Sequence, residues 1–282
     1  MARHGAKRHR IYAWLLTACL ASPAFAGTPE YVPVDDAESG VVEEMIDTFS
    51  RFAFSIDAWL RLEAPGSPTL IVGGVYDNFA SRFLSATFGR FEYKYEVNGR
   101  KFVRTYYSTS GEEPDEAFGR LVEAATGYRP PLSPASESFR TSSSSVRVVL
   151  IDEDQSPIKA GDALDGVVHA RDAELKMLRQ LHAEIASGVV EDGGVLAGRI
   201  TQAPCYSCRG AFEQFLELHP RIAEPQIEYL LRDSPAYARY KDVRNIVWRT
   251  TRRHRAAQSS WYLEDVLDSP PRSPPPAPDP DC

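Results

Sequence analysis

An α/β layer fold, with a sheet covered by helices, is the architecture this sequence predicts, on three observations. Apolar residues recur at three- and four-residue intervals over 40–60 and again after Asp172. A tyrosine-rich stretch over 91–107 alternates apolar and polar residues about Asn98-Gly99. From Val195 onward, short strand-forming runs alternate with helical ones.

In chain order, Val41, Val42, Met45, Ile46, Phe49, Phe52 and Ile56 give the first helix one apolar face that needs a partner surface. Pro65-Gly66-Ser67-Pro68 breaks it. Phe91, Tyr93, Tyr95 and Val97 form the outgoing arm of a hairpin. Asn98-Gly99 supplies residues that tolerate positive φ, and Lys101 to Tyr107 return. Ala117 to Ala125 predicts a short helix. The Pro- and Ser-rich sequence up to Ser145 predicts a loop over the site or a mobile insertion, and Val146 to Ile151 a strand.

After Asp172, the stripe Leu175, Leu178, Leu181 and Ile185 predicts an amphipathic helix, with Gly188 and Gly193-Gly194 at its exit. Val195 to Thr201 is a short strand. Pro204 opens another helix, whose inner face is Ala211, Phe212, Phe215 and Leu216, and Pro220 stops it. Gln226 to Leu231 and Val243 to Arg249 are predicted as the last two strands, and Pro270 to Pro280 as an extended tail.

The ends differ in kind from the middle. Arg3, Lys7, Arg8 and Arg10 precede an apolar stretch from Ile11 to Leu20 and the small-x-small site Ala24-Phe25-Ala26, so residues 1–26 are expected to be a signal peptide for export. Leu16-Thr17-Ala18-Cys19 resembles a bacterial lipobox, which would make Cys19 a lipid anchor point. No later stretch approaches the roughly 20 apolar residues a bilayer-spanning helix needs. The expected organisation is a signal peptide (1–26), an N-terminal helical extension (27–84), a site-bearing domain (85–250) and a basic, then Pro-rich tail (251–282).

Loss of the four leader cations takes the formal charge from -7 to -11, which argues against general nucleic-acid binding. Arg249, Arg252, Arg253 and Arg255 form a local basic patch that could contact a phosphate backbone or simply be solvated. After the leader only Cys205, Cys208 and Cys282 remain, too few for a disulfide framework.

Cys205 and Cys208 therefore need their own explanation. At a helix start, free backbone N–H groups and the helix dipole favour thiolates, and two thiolates three positions apart can grip one zinc at about 2.3 Å. Asp172, at the start of the other helix, offers a third ligand through oxygen. His169, three residues earlier, competes for that role, but is badly phased with Glu174; Asp172 is preferred. Glu174 is spaced to take a proton from an activated water and pass it to a leaving group.

Asp172-Ala173-Glu174-Leu-Lys-Met-Leu, followed by Pro204-Cys205-Tyr206-Ser207-Cys208-Arg209 and a Gln-Phe run ending at Pro220, resembles the toxin-associated branch of the cytidine deaminase-like superfamily. The resemblance spans about residues 85 to 250 and departs from most of the superfamily in having Asp172 where a histidine ligand is usual. It implies a mixed five-stranded sheet flanked by helices, with zinc held between two helix starts. Asp172, Cys205 and Cys208 would be the metal ligands and Glu174 the proton shuttle. It further implies a secreted effector that deaminates a nucleobase, cytosine ahead of adenine, in a nucleoside, DNA or RNA, with a cognate immunity protein as partner.

Other residues keep two readings. Tyr206 and Ser207 would touch substrate or serve packing and capping, and Arg209 would meet phosphate or solvent. Tyr93, Tyr95, Tyr106 and Tyr107 fit core packing better than base stacking. His182 and His219 are expected on helix surfaces, and His254 in the basic segment. The rival functions are an exported thiol-disulfide oxidoreductase using Cys205 and Cys208, which would not need Glu174, and a catalytically inactive zinc-containing binding module.

Overall fold

The two predicted apolar helix faces meet opposite sides of one sheet. A computed structural model of the chain describes residues 28–63, 74–127, 144–161 and 169–250. The leader, the Pro- and Ser-rich segment, most of the basic patch and the Pro-rich tail lie outside these residues.

In order, the elements are β1 (Glu30–Val34), α1 (Gly40–Glu63), α2 (Gly74–Ser85), β2 (Phe88–Val97), β3 (Arg100–Thr109), α3 (Pro114–Thr126), β4 (Ser145–Arg147), α4 (Ala173–Ala186), β5 (Val195–Ile200), α5 (Tyr206–Leu218), β6 (Ala223–Leu230) and α6 (235–250). The six strands form one mixed sheet in the order β1-β6-β5-β2-β3-β4. β2 pairs antiparallel with β3 and β5, and the other neighbours are parallel. This is the predicted α/β architecture of a mixed sheet flanked by helices.

The hairpin follows directly from its turn. Asn98 and Gly99 both take positive φ, 52° and 77°, and Val97 pairs with Arg100 across them. That register sends Phe91 and Tyr93 to the face covered by α4 and α5. There they join Leu175, Leu178, Leu181, Phe212, Phe215 and Leu216 in one core cluster. Gly198 of β5 lies in this layer, where a Cβ would come within 2.6 Å of the Phe91 ring. Tyr93, Tyr106 and Tyr107 are buried, in keeping with core packing.

The opposite face carries a second cluster, in which Val42, Met45, Phe49 and Phe52 of α1 meet Phe88, Tyr107 and Leu230. Each such fully buried side chain contributes roughly 1.5–3 kcal/mol relative to exposure. Between α1 and the sheet, Glu44 lies 3.1 Å from Arg199 and 3.5 Å from Arg90, so one carboxylate of the helix is matched to two guanidiniums of the strands.

Three expectations change. Residues 27–84 are not helical throughout, because β1 joins the sheet as a sixth strand parallel to β6. The strand expected over Val146–Ile151 is only Ser145–Arg147. Val148 still donates to the Tyr107 carbonyl at 2.8 Å, and the chain then leaves the sheet. Val243 to Arg249 is helical, within α6. Ala236, Tyr240 and Trp248 of α6 bury at helical spacing in the second core, and Ser234 Oγ accepts the Tyr237 N–H at 3.2 Å. Among the described residues no helix is long and apolar enough to cross a membrane.

Candidate metal centre

The starts of α4 and α5 face each other, and their N-cap residues, Asp172 and Cys205, carry the centre. Asp172 makes no side-chain capping hydrogen bond. Its carboxylate turns outward instead, and Oδ2 lies 3.2 Å from both Cys205 Sγ and Cys208 Sγ. The two sulfurs are 2.8 Å apart. A turn from His169 to Asp172, closed by a 3.1 Å backbone hydrogen bond, sets His169 Nδ1 at 2.8 Å from the same Oδ2. Cys205 Sγ is 3.6 Å from that nitrogen. His169, Asp172 and Cys205 together could hold a metal ion, and Cys208 adjoins them.

Nitrogen, oxygen and sulfur donors around one point fit a borderline-soft divalent ion such as zinc. Electrostatics already separates the two thiols. Cys205 is held below the ordinary thiol range by its hydrogen bond with Cys208, helped by the Cys208 backbone N–H at the helix start. Cys208 is pushed up by that same hydrogen bond and by burial.

Glu174 sits in the first turn of α4 and is 3 % exposed. Burial raises its carboxyl to about 8. The negative charges of Asp172 and Cys205 add to this, while a hydrogen bond with Cys208 opposes it. A carboxyl group in this condition takes up or releases a proton near neutral pH. Ser108 Oγ of β3 donates to the Ala173 carbonyl at 2.6 Å and so ties the first turn of α4 to the sheet.

The remaining expected site residues divide. Tyr206 is exposed at the mouth of the turn. Ser207 is buried, and its Oγ accepts the Gly161 N–H at 2.9 Å, so it holds the neighbouring loop. Arg209 lies over the Tyr31 ring, 4.9 Å from its centroid. His182 and His219, expected on helix surfaces, instead meet at 2.9 Å, and His219 is buried. The reason is that α4 and α5 pack side by side, which closes their C-terminal ends on one another.

Three supporting residues gave no motif. Arg179 of α4, with its side chain fully buried, donates to the Ile158 carbonyl at 2.9 Å and the Ile151 carbonyl at 3.1 Å. It also reaches the Ala170 carbonyl at 3.4 Å, next to His169, and pairs with Glu153 at 3.0 Å. Lys176, also fully buried, pairs with Glu113 at 2.7 Å, and Glu113 in turn meets Arg147 at 3.0 Å. Tyr31 of β1 has a buried hydroxyl with no hydrogen-bond partner among the described residues, and its ring packs against Phe212. Lys176 and Arg179 lie three residues apart on α4, and nothing in the sequence set them apart from solvated cations on a helix surface.

A pocket of about 450 Å³ opens beside the centre and reaches Asp172. The fold and site thus define an α/β protein with a candidate metal centre between two helix starts. No family model, curated protein or solved structure matches the chain.

Proposed function

We propose that the chain is a zinc-dependent hydrolytic deaminase of a nucleobase. One observation carries the reading: the Asp172 oxygen meets both sulfurs at 3.2 Å, with the buried carboxyl group of Glu174 two residues away. Asp172, Cys205 and Cys208 would hold the ion, with His169 hydrogen-bonded to the same Asp172 oxygen as its orienting partner. Zinc held there supplies a positive charge that makes a water acidic enough to lose a proton near neutral pH.

Glu174 takes that proton on a carboxylate oxygen and delivers it to the exocyclic nitrogen of the base. The oxygen of water forms a bond to the amine-bearing carbon, the carbon–nitrogen bond breaks and ammonia leaves; the remaining hydroxyl proton passes to the ring nitrogen beside that carbon, and the carbonyl forms. The low exposure of Glu174 keeps bulk water from competing for the proton. An exported effector paired with an immunity protein is part of the same proposal and rests on the sequence resemblance.

A second reading has its own observation. Four donors converge here, and a zinc ringed by four protein ligands is closed and structural. The two separate on ammonia release by reduced, zinc-loaded protein over nucleosides, single- and double-stranded DNA, and RNA. The deaminase reading expects one substrate class to release ammonia. One zinc per chain with no release from any of them would favour the structural reading.

A further inference from the structure

We propose that the pocket between α2, α3 and the end of β3 binds the phosphate ester of a nucleotide, so that this chain takes phosphorylated rather than free nucleosides. The inference rests on the deaminase reading and names the substrate class of that site. The volume, about 450 Å³, falls within the roughly 300–1,000 Å³ usual for small-ligand sites. Asp172 forms part of its wall, so a ligand there lies against the metal centre.

Arg82 from α2, Arg120 from α3 and Arg171 just ahead of α4 all line the pocket. Guanidinium groups match phosphate oxygens with paired N–H donors, and three separate elements supply them here. Two acidic groups share the wall. Glu112 is ion-paired with Arg120, and Asp172 is turned to the sulfurs. Arg82 and Arg171 therefore remain to meet an anion.

A second observation is independent of charge. Thr109, at the end of β3, lines the pocket and is 1 % exposed, yet its Oγ1 is buried with no hydrogen-bond partner among the described residues. A buried hydroxyl is left in this state at a cost, and a rotation about the Thr109 Cα–Cβ bond that turned it to a phosphate oxygen in the pocket would remove it. Phe79 and Phe83, stacked with centroids 5.7 Å apart, form an apolar wall against which the sugar can lie while the base reaches past Asp172 to the centre.

The phosphate could belong to a nucleoside monophosphate or to a strand of nucleic acid. The test is calorimetric titration of the full chain carrying Glu174→Gln, which binds without turnover. The probes are cytidine, adenosine, their 5′-monophosphates, inorganic phosphate and a short single-stranded oligonucleotide. A phosphate-bearing probe is expected to bind at least about tenfold more tightly than the matching nucleoside. Adding Arg82→Gln or Arg171→Gln should erase that preference, and Thr109→Val should reduce it; both arginines are exposed, so these variants should fold.

Preference for the monophosphate identifies a free nucleotide, and preference confined to the oligonucleotide identifies a strand; either supports the pocket. Equal binding of nucleoside and phosphate, binding by none of the probes, or preference surviving both arginine changes would overturn it. Arginine-dependent phosphate binding by a protein that releases no ammonia would defeat the deaminase reading and leave the pocket standing. Ammonia release without phosphate preference would do the reverse.

Discussion

His169 Nδ1 and Asp172 Oδ2 lie 2.8 Å apart, so the two residues that compete for one role in the sequence act together in the fold. Asp172 Oδ2 also meets both sulfurs, whereas His169 stands 3.6 Å from the nearer one. A histidine hydrogen-bonded to a ligating carboxylate fixes its direction and charge. His169→Ala should therefore weaken zinc binding by about 10- to 100-fold, and Asp172→Ala by more. Competition with a chromophoric chelator measures both. Equal losses would make His169 a ligand in its own right.

Arg179 should behave as the keystone of the loop beside the centre. Its guanidinium serves carbonyls from Ile151, Ile158 and Ala170 at once. Arg179→Met leaves buried acceptors unpaired and should destabilise the protein by about 3 kcal/mol in urea unfolding. The same variant should also lose zinc affinity, because Ala170 adjoins His169. Loss of stability with unchanged zinc affinity would limit Arg179 to a structural role.

Acidification should act through His182 and His219. Burial lowers both imidazoles below their ordinary range; for His219 the nearby Asp192, itself paired with Arg221, partly offsets this. The unfolded chain then takes protons before the folded one does. Stability is whole above the unfolded-state value of about 6.5 and falls as pH drops from there toward the lower folded-state values. In zinc-free, reduced protein, protonation of buried Glu174 acts in the opposite direction, so the prediction is a difference: between pH 7.5 and 5.5 the wild-type melting temperature should fall further, or rise less, than that of a His182→Gln/His219→Gln double variant. The same change in both proteins would rule the pair out.

Oxidation should compete with metal. Cys205 and Cys208 are free thiols with sulfurs 2.8 Å apart, and an external disulfide oxidant can take two electrons from them to form a bond between them. Zinc loaded under reducing conditions should be released on treatment with oxidised glutathione and restored by dithiothreitol with added zinc. Zinc retained throughout would contradict the assignment of these sulfurs as ligands.

How much of this was legible in the sequence depends on the kind of signal. The hairpin was, because Asn98-Gly99 is a local instruction. The helix starts were, because Asp172 and Cys205 precede clean apolar stripes. The helical state of α6 was also written locally, in Ser234 followed by Pro235, a cap and a first-turn residue. The β-branched Val243, Ile246 and Val247 masked it by resembling a strand. β1 carried little signal, since five residues containing Pro33 look like a linker until β6 offers an edge. The pocket could not be read at all, because Arg82, Thr109, Arg120 and Arg171 converge only through tertiary packing.

The proposed deaminase rests on Glu174 moving the proton at a zinc held by Asp172, Cys205 and Cys208. The most direct test compares ammonia release by wild-type and Glu174→Gln proteins, both reduced, matched in zinc content and melting temperature, on the substrate the panel identifies. A loss of at least about 100-fold in rate, with zinc retained, is expected. Ammonia release at the wild-type rate from Glu174→Gln would contradict it.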